Sequence, residues 1–512
     1  MIRSVPAFIE GYGPVEPFAG AFARLGPATR RSVTRHPVRP GQGKLLPSIR
    51  AAIEACGLKD GATVSFHHHL RNGDDVLRAV MAEIAAMGFR NITVAATSLF
   101  PVHAPLADHI RNGVVSGISA TYIRGPVADA IAAGALPTPA VLLTHGGRAR
   151  AVEAGDIRID VAFVAAPTAD SYGNINGVQG KSACGTLGYP MVDARCADRV
   201  VAITDHLVPY PACPIDISQE DVDFVVPVDS IGDPQRIVSG ITRVTTKPEG
   251  KAIAAMAAAV IDASGLLKDG FSFQMGAGGV SLAVADTLKT IMSERGIVGS
   301  FAAGGITGTL VEMLEAGLFR TLFDVQCFDL KAVDSYRRNL AHQSMSASQY
   351  GNPHACGAVV NQLDAMMLGA AEVDLDFNVN VTLGNNGVIL GGSGGHSDTA
   401  AGAKLALVTT ALATNTHPKI VERVSFVTTP GETIDAVVTE AGIAVNPLRE
   451  DLRERLRDAG LPVVSIEELQ HKASCCDGVT PPPPVNPAEG RILAVGQYRD
   501  GTVIDVIRAN PG

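Results

Sequence analysis

The sequence predicts an α/β protein made of two tandem, pseudo-repeated open sheets, mostly parallel, with helices on both faces and a C-terminal β-hairpin tail. Three observations carry this prediction. Short β-branched runs at residues 92–95, 141–144, 161–165 and 200–204 alternate with amphipathic helical patterns, as a parallel sheet covered on both faces requires. Landmarks recur at a nearly constant spacing: Asp60/Asp269 are 209 residues apart, Asp160/Asp374 214 and Gly173/Gly384 211. The chain has 512 residues, 46% of them apolar and 18% charged, which excludes disorder and exceeds what one hydrophobic core serves.

Taken in order, the first copy opens with an Ala-rich helical stretch at 46–56, then Gly57-Leu58-Lys59-Asp60-Gly61 and a short apolar strand. The next helix is predicted over 74–87, with Val76, Leu77, Val80, Met81 and Ile84 on one face and Gly88 as its stop. The second copy repeats the order: helix 252–263, Gly265-Leu266-Leu267-Lys268-Asp269-Gly270, a strand, and a helix over 281–295 before Gly296. The joint is expected near 239–250, giving halves at 1–240 and 241–480. Asn446 as N-cap and Pro447 at the first position predict a further helix with Leu448, Leu452 and Leu456 on one face, ending at Gly460. Residues 481–484 are four prolines, a stiff linker. In the last segment, 481–512, alternation around Asp500-Gly501 predicts a hairpin packed on the core.

Composition narrows the function. With 42 Lys+Arg against 51 Asp+Glu, the formal charge of −9 argues against non-specific nucleic-acid binding. The longest apolar stretch, 252–261, is too short to span a bilayer, and the N-terminus lacks a signal core, so a cytoplasmic, non-membrane protein is expected. Eight cysteines without C-x-x-C spacing predict reduced thiols and no zinc framework.

Ligands of open α/β sheets bind beyond the carboxyl ends of strands, where glycines let the backbone approach. Three glycine-rich stretches fit. Gln274-Met275-Gly276-Ala277-Gly278-Gly279 lies between a strand and a helix, so its N–H groups suit an oxyanion or phosphate; a plain tight turn is the competing reading. Residues 299–305 are expected as a turn between a short strand and a helix at 310–316. Gly391-Gly392-Ser393-Gly394-Gly395-His396-Ser397-Asp398 cannot be strand or helix interior. In the His67-His68-His69 run, strand alternation would let only His67 and His69 share a ligand sphere. With no acidic or Cys partner before Asp74, no metal is expected; anion recognition with Arg71 and a structural turn stay open.

The Gln274-Met275-Gly-x-Gly order, the Gly-Gly-x-Gly-Gly-x-x-Asp run, the 66–74 stretch and Gly177-Val178-Gln179-Gly180-Lys181-Ser182 resemble the coenzyme A transferase superfamily, and within it the citrate lyase α-subunit family, over about residues 43–507. The resemblance implies an active site between the halves and a complex with a lyase β subunit and an acyl carrier subunit bearing a CoA-like arm. It implies exchange of acetate for citrate on that thiol, with CoA or the arm as co-substrate, no tightly bound cofactor and a homo-oligomer. Citramalate stays open as the acceptor. Many members carry a catalytic glutamate in the 299–305 stretch, where this sequence places Ser300 and no Asp or Glu from 297 to 311. Direct transfer through a mixed anhydride is therefore expected, with Gly276, Gly278, Gly279 and Ser300 around the reacting carbonyl. Citrate falls to His67, His69, Arg71 and Lys181, and the carrier arm to Gly392, Gly394, Gly395 and His396. A free-CoA carboxylate transferase or acyl-CoA hydrolase with a carboxylate nucleophile is the alternative; a non-enzymatic scaffold is a third.

Overall fold

A computed structural model describes residues 5–24, 26, 28–237, 243–476, 478–480 and 485–509. Part of the expected joint (239–242) and the four prolines (481–484) lie outside the described residues. In the first half, β1 (Thr63–Phe66), β2 (Ile92–Ala96), β3 (Val115–Ala120), β4 (Ala140–Leu142), β5 (Val161–Ala166), β6 (Arg199–Thr204) and β7 (Phe224–Pro227) form a parallel sheet in the order β7-β6-β5-β1-β2-β3-β4. In the second, β8 (Ser272–Met275), β9 (Gly299–Ile306), β10 (Phe319–Cys327), β11 (His342–Ser344), β12 (Ala365–Gly369), β13 (Leu405–Thr409) and β14 (Ala436–Thr439) repeat that order, β14-β13-β12-β8-β9-β10-β11. The strand order reverses between β1 and β5 and between β8 and β12, the switch points where such sheets bind ligands.

Each sheet is extended differently. β15 (Gly442–Val445) and β16 (Val463–Val464) continue the second sheet past β14. The C-terminal hairpin, β17 (Ile492–Gln497) and β18 (Val503–Arg508), returns across the molecule and pairs through β17 with β4 of the first half. Strands such as β5, buried at every position, explain the uninterrupted apolar runs. Among the described residues no helix is long and apolar enough to cross a membrane.

The duplication is real, but its spacing changes along the chain. Asp60 accepts the Arg90 N–H and Asp269 the Val298 N–H, so those two correspond. The Thr63 N–H donates to Asp160, however, and the Ser272 N–H to Asp364, which makes Asp364 the counterpart of Asp160. Asp170 and Asp374 each accept the backbone and side-chain amides of the asparagine four residues on. The spacing there is thus 204 residues, not 214 or 211. At the turn Gly173 (φ +100°) is matched by Phe377 (φ +63°), not by Gly384.

The helices expected over 74–87 and 281–295 are α1 (Val76–Ala86) and α3 (Gly279–Arg295); α2 (His145–Ala154) is not among those expected, and α4 (His396–Gly402) begins inside the glycine-rich stretch expected to contain no helix. Two local expectations are corrected. The helix predicted from Pro447 begins at Glu450; Asn446 instead donates its side-chain amide to Gly431 and Ile434 carbonyls, and Leu448 is 71% exposed. Residues 299–305 are strand, not turn. Their glycines serve close packing, since a Cβ on Gly299 would lie 2.5 Å from the Phe319 ring and one on Gly305 2.2 Å from Phe328.

Candidate active site

The carboxyl ends of β1, β8 and β12 converge on a cavity of about 310 Å³ between the halves. The first half supplies His68, Arg71, Ser98, Phe100, Tyr122, His145 and Tyr189; the second supplies Gln274, Gln326, Phe328, Tyr350 and the glycine-rich stretch through His396. That stretch seals the two halves by backbone bonds. The Ile123 N–H donates to Gly391 (3.0 Å), the His145 N–H to Gly394 (2.8 Å) and the Gly394 N–H to Thr121 (3.2 Å). Contact this close needs glycine: a Cβ on Gly392 would sit 2.3 Å from the Thr121 carbonyl and one on Gly395 2.0 Å from the Tyr350 hydroxyl. Behind the loop, Asp398 accepts the Thr144 hydroxyl and the Gly146 N–H, both at 2.8 Å, with the Arg499 guanidinium 3.6 Å away at the tip of the C-terminal hairpin. Burial raises Asp398 to about 6.

Arg71 enters in a left-handed backbone conformation (φ +52°), with its guanidinium 4.7 Å from the Phe328 ring centroid and 5.6 Å from that of Phe100. Two flanking faces hold a planar cation by cation–π attraction and fix its orientation. The sparsely populated φ is the kind of strain that packing must maintain. His68 and His145 stack at 6.0 Å, each against Tyr189. Burial is the largest cause holding both imidazoles below their usual range, with His145 brought down to about 3. The cavity therefore offers neutral imidazoles beside one cation. Among the described residues its lining contains no Asp, Glu, Cys or Lys.

A second cavity, of about 890 Å³, shares Gly276 and Gly369 with the first and lies at the N-terminus of α3. It also contains Gly278, Gly279, Ser281 and Lys247. Behind the first cavity a buried network fixes Gln326. The Cys327 thiol (2.9 Å) and His342 Nε2 (3.1 Å) both reach Asp324 Oδ2, whose other oxygen accepts the Gln326 N–H, and the Gln326 side chain donates to the His68 carbonyl at 2.9 Å.

The expected site residues divide. Arg71, Gly276, Gly392, Gly394, Gly395 and His396 line the first cavity, and Gly278 and Gly279 line the second. His67 and His69 do not reach either. β1 ends at Phe66, and the chain then turns His67 into the core, 3.4 Å from Asp193, which pairs doubly with Arg148. His69 Nε2 bonds the Ala165 carbonyl at 2.7 Å. Lys181 lies on the surface, its ammonium donating to the Asp229 carbonyl. Ser300 sits at the amino end of β9, bonded to Phe271, at the opposite end of the strand from the cavity. Sequence reasoning missed His68, His145, Tyr189, Gln326 and Phe328. His68 was the histidine that the alternation left on the other face. Thr144-His145-Gly146-Gly147, an N-cap with two small residues after it, was a usable signal for His145.

The buried histidines make the fold acid-sensitive. Folded, His67 and His145 titrate at about 3 and His396 at about 4, with His68 also lowered. Their stabilisation is complete above the unfolded value near 6.5 and is lost as pH falls below it, by about 1.4 kcal/mol per pH unit for each. Asp398, raised to about 6, works in the opposite direction and offsets one histidine between about pH 6 and 4. Thermal melts should therefore show Tm falling steeply from pH 6.5 to 5; an unchanged Tm would contradict this burial.

Residues 42–510 match the family model described as citrate lyase, alpha subunit. The chain belongs to the citrate lyase α-subunit family. It is 46% identical to the citrate lyase alpha chain of Klebsiella pneumoniae over 492 residues, 96% of this chain and 95% of that one. The α subunit of citrate lyase from Streptococcus mutans, solved in complex with citrate, superposes with a TM-score of 0.95 at 47% identity, covering 100% and 99% of the two chains. A 4-hydroxybutyrate CoA-transferase from Porphyromonas gingivalis, 18% identical with a TM-score of 0.54 and covering 84% and 96%, shares the fold.

Proposed function

We propose that the chain is a citrate CoA-transferase that converts an acetyl thioester on a CoA-like carrier arm, plus citrate, into the citryl thioester and acetate. The observation that carries this is the composition of the cleft: one oriented cation and neutral donors from both halves, with no carboxylate among its described lining residues. Arg71 would pair with a carboxylate of the substrate. The arm would enter through the larger cavity, past the N-terminus of α3, and bring its thioester to Gly276.

The chemistry asks little of side chains. A citrate carboxylate oxygen attacks the acetyl carbonyl, the C–S bond breaks, and the thiolate leaves an acetyl–citryl anhydride. The thiolate then adds to the citryl carbonyl and expels acetate, with no net proton transfer. What the protein contributes is alignment, worth several kcal/mol, and donors to each tetrahedral oxyanion, each worth about 3 kcal/mol. The His68 side chain is one such donor. Thr97 Oγ1 accepts the His68 backbone N–H and, among the described residues, its own proton has His68 Nδ1 as acceptor at 2.6 Å, which leaves the proton of His68 on Nε2. The Gly276 region supplies backbone N–H groups.

The carrier subunit and the lyase β subunit are the partners this reading requires, in a homo-oligomeric complex. The test is transfer of labelled acetate from acetyl-carrier to the free pool, dependent on citrate, by the isolated chain. Release is expected without inactivation by hydroxylamine or borohydride in the presence of the acyl thioester. Inactivation that appears only with the thioester would indicate a protein-bound acyl group and favour the carboxylate-nucleophile alternative. Absence of transfer with authentic carrier would leave a scaffold.

A further inference from the structure

A reaction between a carboxylate and a thioester needs no base, yet the His145 ring brings a bare acceptor nitrogen to the cavity. Thr121 Oγ1 gives its single proton to the Thr97 carbonyl at 2.6 Å. It can therefore only accept from His145, whose Nδ1 lies 3.0 Å away, so the proton of the neutral His145 ring is on Nδ1. Nε2 is left with a lone pair and no proton. The ring lines the cavity. Its Nε2 faces the side of Gly394 where a Cβ would stand 3.4 Å away, so the glycine keeps the approach open. The ring is held from all sides: its backbone N–H is tied to Gly394, Tyr189 packs at 4.8 Å, and the flanking Thr144 and Gly146 are clamped by Asp398.

What would such an acceptor meet? Ionised carboxylates only accept, so a tricarboxylate presents them to Arg71 and to the His68 N–H. The one donor that citrate carries at neutral pH is its tertiary hydroxyl. Resting on the function proposed above, we infer that His145 Nε2 is the specificity-determining acceptor for the substrate hydroxyl, selecting 2-hydroxy polycarboxylates over their deoxy counterparts. Stacked His68 and His145 then have complementary tasks: one imidazole donates to developing negative charge, and the other reads the hydroxyl.

The test is calorimetric binding to the full chain of citrate, of propane-1,2,3-tricarboxylate, which lacks the hydroxyl, and of the 2-fluoro analogue, which keeps its size but not its proton. Citrate should bind about 10- to 100-fold more tightly than either analogue. His145→Leu should weaken citrate to their level and leave the analogues within about threefold. His145→Gln, whose amide oxygen replaces Nε2, should recover part of the preference. The ligand series on the wild-type chain decides the matter even if a variant fails to fold. Equal binding of citrate and the fluoro analogue overturns the assignment, as does an equal loss of all three ligands in His145→Leu. So does a loss in His145→Leu confined to the thioester KM, which would place the acceptor on an amide of the arm. If the wild-type chain binds no tricarboxylate at all, the function proposed above falls, and the assignment with it.

Discussion

Arg71→Met is expected to lower kcat/KM for citrate by about 100-fold or more while leaving Tm within a few degrees, because it removes the cation that would pair with a substrate carboxylate. The expectation rests on how Arg71 is held. Phe100 from its own half and Phe328 from the other flank the guanidinium at 5.6 and 4.7 Å, so its plane is set before substrate arrives. Arg71→Lys keeps a charge but loses the planar fork and the stacking, and should recover only a small part of the activity. Phe328→Leu should act in the same direction more weakly, raising KM for citrate more than it lowers kcat. Steady-state kinetics with varied citrate at saturating thioester reads all three. An Arg71→Met enzyme with unchanged KM would move the citrate site elsewhere.

The second large effect concerns the seam between the halves. Gly146→Ala is expected to cost about 3 kcal/mol or more and to abolish activity. Its Cβ would fall 2.0 Å from the Gly351 carbonyl and 2.7 Å from Asp398 Oδ1. Neither neighbour can yield: Gly351 also accepts from Arg499, and Asp398 holds Thr144. To relieve the clash, α2 and the segment carrying Asp398 must separate, which draws His145 away from Gly394. Gly357→Ala is the control, since a Cβ there meets nothing within 4 Å and its φ is ordinary. Tm and activity should both fall in the first variant and neither in the second; a stable, active Gly146→Ala would show that the seam tolerates movement.

Elements whose signal is local were legible in the sequence. The β-branched runs became β2, β4, β5 and β6, the amphipathic helix around Val80 became α1, and Asp500-Gly501 does turn a hairpin. Glycines 392, 394 and 395 pointed to the cleft because so many glycines together resist any regular structure. The failures came where a long-range partner decides. Ser300 was placed by a glycine pattern that resembles a turn, but those glycines serve strand packing against Phe319 and Phe328. The repeat offset drifted because loop lengths between strands differ, and only the Asp160 and Asp364 hydrogen bonds reveal the correct pairing. His67 and His69 were favoured by strand periodicity that stops one residue earlier, at Phe66. Phe328 and Tyr189 carry no signal of their own, since each matters only through partners distant in the chain: Arg71 of the other half for Phe328, and His68 for Tyr189. The hairpin joins the first sheet, far from its place in the chain, through β17 and β4, a pairing no local pattern encodes.

In the reaction proposed for this site, citrate itself attacks the thioester. A single turnover with citrate labelled with oxygen-18 in its carboxylates tests it directly. The bridging oxygen of the anhydride comes from citrate and departs with the acetyl group, so the first acetate released should contain one heavy oxygen, with none left on the protein. Unlabelled acetate in that first turnover, with the heavy oxygen retained in a side-chain carboxylate, would overturn direct attack by citrate.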